Sequence, residues 1–261
     1  MRLDKFLAQA GIGKRKDTRK YIEDGLVKVN GKIIHVPAIE INENMDVIEL
    51  NEEKVIKKEQ VYYMLNKPKG YITATKDEIH KTVFDLFEED MKGIFHIGRL
   101  DKDTEGLLLF TNDGEFEHKI MYPDKHIDKT YFFIALGNID EDKKQSLEKG
   151  VYINKGEVLT KEAEINNIRN FQNLLQLEEG IKEKIDISEI SYINQNIVCG
   201  ELIIKEGKKH QVKKMLKSVG CKVIFLQRIA IGNLELDKKL KLGEYKKLRE
   251  KEKEKIFRET I

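Results

Sequence analysis

Five charged residues occupy the seven positions from Arg99 to Glu105, directly ahead of the apolar run from Leu107 to Thr111. A loop that feeds a buried strand ordinarily presents few charges to water. Here Asp101 follows Arg99 by two positions and precedes Thr104 by three. A carboxylate so placed can be held ionised and oriented by a cation and hydroxyl donors while a substrate covers it. The spacing alone fits a solvated loop with a turn cap equally well. It also admits a glycosidase with paired carboxylates, Asp101 and either Asp103 or Glu105, which would hydrolyse a sugar bond.

Three other stretches bear on chemistry. Residues 129–136 read Lys-Thr-Tyr-Phe-Phe-Ile-Ala-Leu, a strand in which Tyr131 packs or lines a cleft if Phe132 and Ile134 face the core. An aromatic side chain in a nucleic-acid pocket can stack on an extruded base. Residues 202–216 read as a strand, Gly207, then a basic helix that includes Lys208, Lys209, His210, Gln211, Lys213 and Lys214. A helix start there suits phosphate contacts, although most lysine-bearing helices simply face water. Finally, residues 1–35 hold nine Lys/Arg against four Asp/Glu, in a chain whose net charge is only +2. That asymmetry marks a basic module.

The elements that must position these groups follow from periodicity and punctuation. Leu3, Phe6, Leu7 and Ala10 share a helical face that Gly11-Ile12-Gly13 stops, and Asp17 or Thr18 can cap a second helix through Ile22. Residues 26–32 read as a strand with an Asn30-Gly31 turn, residues 46–50 as another strand, and residues 51–54 as a charged break. Residues 61–66 form an apolar strand followed by a sharp turn at Lys67-Pro68-Lys69-Gly70. Asn112 or Asp113 can cap a helix over 115–121, which Pro123 ends, and residues 140–148 form a charged helix closed by Gly150. Short strands are expected over 151–168, a variable surface hairpin over 169–197, a strand at 223–227, and a mixed-charge helix or frayed tail after 249.

The 261 residues allow one large domain or a large and a small one, with 40% hydrophobic residues for a core and 36% charged residues for a densely ionic surface. Cys199 and Cys221 are the only cysteines and lack metal-ligand spacing, and the six histidines are scattered. No apolar run approaches a membrane span and no leader is evident, so the chain reads as cytoplasmic and reducing. Glycine-rich phosphate loops, dinucleotide fingerprints and metal clusters are missing from the sequence.

Gly98-Arg99-Leu100-Asp101, then Thr104, Gly106 and an apolar strand ending Thr111-Asn112-Asp113-Gly114, resembles the signature of the bacterial pseudouridine synthases of ribosomal RNA, the RsuA/RluB family. Lys67-Pro68-x-Gly70 resembles the family's first motif, and Glu206-Gly207-x-x-x-Gln211-Val212-Lys213-Lys214-Met215 its third; Arg228 to Gly232 also matches. Residues 1–35, with Arg2-Leu3-Asp4-Lys5-Phe6-Leu7 and Gly25-x-Val27-x-Val29-Asn30-Gly31, resemble the small RNA-binding module of ribosomal protein S-four.

The resemblance implies a catalytic Asp101, a Tyr131 that stacks on the target base, and a Lys213 that pairs with the aspartate. Many relatives carry arginine at that last position, so a point charge replaces a bidentate contact. Asp101 could attack the anomeric carbon, attack the base, or promote loss of a sugar proton. Arg2, Lys5, Lys14, Arg15, Lys16, Arg19, Lys20, Lys67, Arg99, Lys208, Lys209, His210, Gln211 and Lys214 are expected to serve RNA. No cofactor or metal is implied.

The expected fold is α+β: a small helix-rich RNA-binding domain over 1–58, a mixed, mostly antiparallel sheet with flanking helices over 59–245, and a charged tail over 246–261. The expected function is isomerisation of a uridine in ribosomal RNA, with the assembling ribosomal subunit as partner and a monomer as the working form. Residues 123–131 and Thr160-Lys161-x-Ala163 resemble the small-subunit enzymes more than the large-subunit ones. A large-subunit target is the alternative, and a non-catalytic assembly factor on the same fold is the rival class.

Overall fold

Leu3, Phe6, Leu7 and Ala10 recur at helical spacing, and all four are buried against Ile22, Val27 and Ile48. The computed structural model describes residues 1–56, 59–122, 127–154, 156–185 and 194–257. The first helices are α1 (Leu3–Gln9) and α2 (Arg15–Glu23). They pack on a four-stranded sheet of β1 (Val27–Val29), β2 (Lys32–Ile33), β3 (Ile48–Leu50) and β4 (Glu53–Lys54), in the order β2-β1-β3-β4. Asn30 and Gly31 both have positive φ, +52° and +77°, which makes the tight hairpin between β1 and β2 that the Asn-Gly pair predicts. One expectation shifts. Because α2 starts at Arg15, Asp17 lies inside its first turn rather than at the cap, and its carboxylate accepts the Lys14 N–H at 3.2 Å.

A nine-stranded sheet organises the rest. Its members are β5 (Tyr62–Lys67), β6 (Phe95–Ile97), β7 (Glu105–Thr111), β8 (Lys129–Leu136), β11 (Ala163–Phe171), β12 (Ile197–Ile204), β13 (Lys222–Ile231), β14 (Leu234–Glu235) and β15 (Tyr245–Lys247). A separate two-stranded hairpin joins β9 (Tyr152–Ile153) to β10 (Val158–Leu159). The main path runs β11-β12-β8-β13-β7-β5-β15, with β14 on β13 and β6 on β7. Among its named strands only β7 and β13 pair in parallel, and only at Gln227 with Glu105 and Arg228 with Gly106. The helices are α3 (Gly114–Met121), α4 (Glu141–Lys149), α5 (Glu179–Lys182), α6 (Gln211–Ser218) and α7 (Glu250–Lys255). The expected mostly antiparallel α+β architecture is the one found.

Alternation along the strands separates two faces. One carries Tyr63, Leu65, Leu108 and Phe110 with Leu100 and Val83, and continues through Phe133, Ala135 and Leu226 to Val212, Met215 and Leu216 of α6. The other carries Met64, Leu107 and Leu109 under Phe116 and Ile120 of α3, and Ile134, Cys199 and Phe225 under Leu174 and Ile181.

Two expectations are corrected by burial. Within 169–197, Leu174, Leu177, Ile181 and Ile185 are buried against the sheet, so this segment builds core as well as surface. The charged tail expected from 246 also shifts: Lys246 lies in β15, the residues after 249 take the helical alternative as α7, and Ile256 beyond it is 1% exposed. Ile256 packs so tightly on Gly232 that a Cβ there would meet its carbonyl oxygen at 2.1 Å. Pro123 to His126, Ile187, Ile190 and Arg258 lie outside the described residues.

Candidate active site

The loop from Gly98 to Thr104 is held from three directions. Thr73 donates its hydroxyl to the Leu100 carbonyl at 2.7 Å and accepts the Leu100 N–H at 3.1 Å. The Gly70 N–H reaches the Lys102 carbonyl at 2.8 Å, so the Pro-Gly turn after β5 docks on the loop. Beneath it, Lys67 is 0% exposed, and its ammonium donates to the carbonyls of Pro68 at 3.0 Å, Asp101 at 3.1 Å and Thr104 at 2.9 Å. Burial pushes its pKa down to about 8, against the pull of Asp103, Glu105 and Asp101.

Gly106 completes the exit into β7. Its φ is +101°, and a Cβ there would meet the Arg228 carbonyl oxygen at 2.3 Å. The parallel approach of β7 and β13 therefore requires glycine at this position.

This frame leaves the Asp101 side chain 31% exposed, facing α6. The Lys213 Nζ lies 3.7 Å from its Oδ2, and the His210 Nε2 lies 3.5 Å from its Oδ1. Lys213 is also in direct contact with Asp103. Burial alone would raise the Asp103 carboxyl, but Lys213 brings it below its ordinary value. The cation expected beside Asp101 is thus shared between two aspartates. Tyr131 stands on the same sheet face, packed against both the cluster under α6 and the cluster that contains Leu100. Lys129, two residues earlier, is brought down to about 8 by burial and by Arg228.

A carboxylate on a clamped loop, a cation on a facing helix and an aromatic on the shared face can serve a reaction on an extruded base. The RNA pseudouridylate synthase model matches residues 61–218, which spans every one of these groups. The chain belongs to this family. The S4 domain model matches residues 1–47.

An RNA pseudouridine synthase of Bacillus subtilis is 38% identical over 258 residues, covering 97% of this chain and 96% of its own. The "Ribosomal large subunit pseudouridine synthase B" of the same organism is 36% identical, covering 90% and 87%. The "Ribosomal small subunit pseudouridine synthase A" of Haemophilus influenzae is 32% identical, covering 99% and 100%. A crystal structure of a pseudouridylate synthase superposes with a TM-score of 0.63 at 31% identity, covering 98% and 99%.

In this pseudouridine synthase the other expected RNA residues divide by burial. Lys67 and Gln211 are corrected. Lys67 is spent on loop carbonyls, and Gln211, 4% exposed, is a strut that donates to Glu206 at 2.7 Å and accepts the Lys208 N–H at 2.8 Å. Neither can offer its polar end to RNA. Lys208 bonds Glu206, Lys214 donates to Asn154 at 2.6 Å, and Arg99 and Lys209 are exposed.

In the S4 domain Lys14, Lys16 and Lys20 are exposed, while Lys5 bridges to Glu115 of α3. Arg2, Arg15 and Arg19 converge on Asp4, at Nε–oxygen distances of 3.1, 3.2 and 2.9 Å. Asp4 was missed by the sequence reading. The available signal was an acidic residue on the otherwise apolar face of α1, within reach of three arginines.

Asp4 yields a stability prediction. Burial alone would raise its carboxyl, but Arg15, Arg19 and Arg2 bring it down to about 2 from 3.8. A depressed carboxylate contributes stability above its unfolded pKa and loses it as pH falls through the folded value. With the guanidiniums half in water, the contribution is about 1 kcal/mol. Asp4→Asn should therefore destabilise the S4 domain by about that amount at pH 7, with the deficit vanishing near pH 2. Urea unfolding followed at both pH values measures it, and an equal deficit at both would refute the ionic account.

Among the described residues no helix is long and apolar enough to cross a membrane, and no group of three side chains could hold a metal.

Proposed function

We propose that the protein converts one uridine of ribosomal RNA to pseudouridine, with Asp101 as the catalytic carboxylate, Tyr131 as the stacking platform and Lys213 as its cation. The observation that carries this reading is the Asp101 carboxylate, partly exposed on a clamped loop with Lys213 at 3.7 Å. The reaction breaks the bond from the sugar to base N1, rotates the base, and forms a bond from the sugar to C5. The C5 proton leaves and N1 gains one, so atoms balance without an external oxidant or reductant. The residues supply orientation and charge rather than a transferable group.

Residues 1–58 would bind RNA, 59–245 would catalyse, and the region from 246 would buttress the sheet. The working form is a cytoplasmic monomer acting on RNA or an assembling subunit. Relatives named for both subunits occur, and the Thr160-Lys161-x-Ala163 segment favours the small one. Thr160 is 3% exposed and accepts the Val151 N–H at 2.9 Å, so this segment fixes the β9–β10 hairpin.

Pseudouridine mapping of ribosomal RNA with and without the purified protein is the test. One new position in small-subunit RNA is expected. A position in large-subunit RNA would keep the chemistry and move the target. Tight binding with no modified position would favour the assembly-factor reading. Replacing Lys14, Lys16 and Lys20 with alanine should weaken RNA binding at all sequences and flatten its salt dependence by about 0.7–0.9 per lost phosphate contact, leaving kcat intact. An unchanged salt slope would remove α2 from the RNA interface.

A further inference from the structure

Lys213 alone leaves the Asp101 carboxylate half-determined. Its ammonium is closer to Asp103 than to Asp101, and it approaches Asp101 at Oδ2. A carboxylate gripped through one oxygen still turns about its last torsion. Fixing its plane needs a second donor at the other oxygen, and the His210 Nε2 stands 3.5 Å from Oδ1.

The backbone gives this placement a physical origin. His210 has φ +55° and ψ +33°, a left-handed conformation uncommon outside glycine, although histidine, asparagine and aspartate adopt it more readily than other side chains. Such strain persists only when its surroundings over-determine it. Here they do. Glu206 accepts from the Lys161 N–H at 2.9 Å and from the Gln211 amide at 2.7 Å. Gln211 in turn accepts the Lys208 N–H, and its own N–H reaches the Lys208 carbonyl at 3.1 Å. The Lys214 N–H donates to the His210 carbonyl at 3.0 Å. This locked entry to α6 delivers a 47%-exposed imidazole to the loop that carries Asp101.

We propose that His210 is a positioning residue: its imidazole N–H holds Oδ1 of Asp101 while Lys213 faces Oδ2, fixing the carboxylate plane for reaction. The inference rests on Asp101 being the catalytic carboxylate. A contact at 3.5 Å is long for a hydrogen bond and tightens when substrate closes over the site, as pairings in unliganded enzymes do. The competing role, a contact to an RNA phosphate, would act on binding instead.

The test uses the full chain and single-turnover kinetics on the RNA that the wild type modifies. His210→Gly removes the ring and accepts the left-handed backbone, so it should melt no lower than wild type. Its kcat should fall about 100-fold, the cost of a misoriented reacting group, with KM near wild type. His210→Gln restores an N–H donor and should recover part of the loss, as should free imidazole added to His210→Gly. A wild-type kcat in His210→Gly overturns the proposal, and so does a loss confined to KM. Failure of the underlying reading looks different: wild-type protein and Asp101→Asn would then turn over alike, both active or both inactive on every ribosomal RNA.

Discussion

Asp101→Asn should lower pseudouridine formation by about 10⁴-fold or more while leaving RNA affinity close to wild type. The asymmetry follows from what each part of the residue does. The Asp101 backbone carbonyl is a structural acceptor, bonded by the Lys67 ammonium at 3.1 Å and by the Thr104 N–H at 3.1 Å. The substitution does not touch it. Among the described residues its side chain has the ion-pair partners His210 and Lys213, and it is partly open to water.

Replacing that carboxylate with an isosteric amide therefore removes charge without opening a cavity, and stability should stay within about 0.5 kcal/mol. On the proposed reading, RNA affinity comes from other cations, chiefly the exposed lysines of the S4 domain. Release of tritium from uridine labelled at C5 measures turnover, since that hydrogen leaves when the new bond forms. Filter binding measures affinity. Normal turnover by Asp101→Asn would end the assignment. Loss of turnover together with loss of folding would not support it, so thermal melting accompanies both.

The residues that carry charge to the surface were the easiest to read and the easiest to over-read. Asp101, Tyr131 and Lys213 come from different elements, yet ordered motifs brought them together, and all three lie on one sheet face. The helix α1 and the Asn30-Gly31 hairpin followed from local periodicity and turn chemistry, which sequence states directly. Lysine, arginine and glutamine were harder, because their long side chains turn inward or outward according to tertiary partners that no local pattern names. Lys67 turns under the loop that carries Asp101, Gln211 turns into the start of α6, and Arg2, Arg15 and Arg19 turn onto Asp4. Each would read as a solvent-facing or RNA-facing group from composition alone. The parallel contact of β7 with β13 was equally invisible: it joins residues more than a hundred positions apart, and only Gly106 hints at the close approach.

Lys67→Met should separate the stability of the loop from its geometry. In the wild type the buried ammonium is unfavourable by the margin its pKa reveals. A fall from 10.5 to about 8 corresponds to about 3 kcal/mol against the charged form. Methionine removes that burden but takes the Lys67 donor away from the carbonyls of Pro68 and Thr104. The Asp101 carbonyl keeps the Thr104 N–H, and the Lys102 carbonyl keeps the Gly70 N–H. Two weakened carbonyls cost about 2–4 kcal/mol, so the two effects nearly cancel and the melting temperature should change little.

Geometry has no such compensation. Without the common donor, the strand end, the Pro-Gly turn and the Asp101 loop are no longer tied at one point. A displacement of the carboxylate by about 1 Å costs about 100-fold in kcat. The pH dependence gives the sign. Because the folded pKa is depressed, the unfavourable burial is fully present below about 8 and relaxes as pH rises toward 10.5, so wild-type stability gains from this group over that interval. Activity moves the other way, since the neutral amine has fewer donors for the carbonyls. The wild type should therefore lose kcat above about pH 8 while its stability does not fall with it. Lys129 is also brought down to about 8 and is the control: Lys129→Met should retain the alkaline limb, and Lys67→Met should lack it. A Lys67→Met enzyme with wild-type kcat would show that the loop keeps its shape without the ammonium.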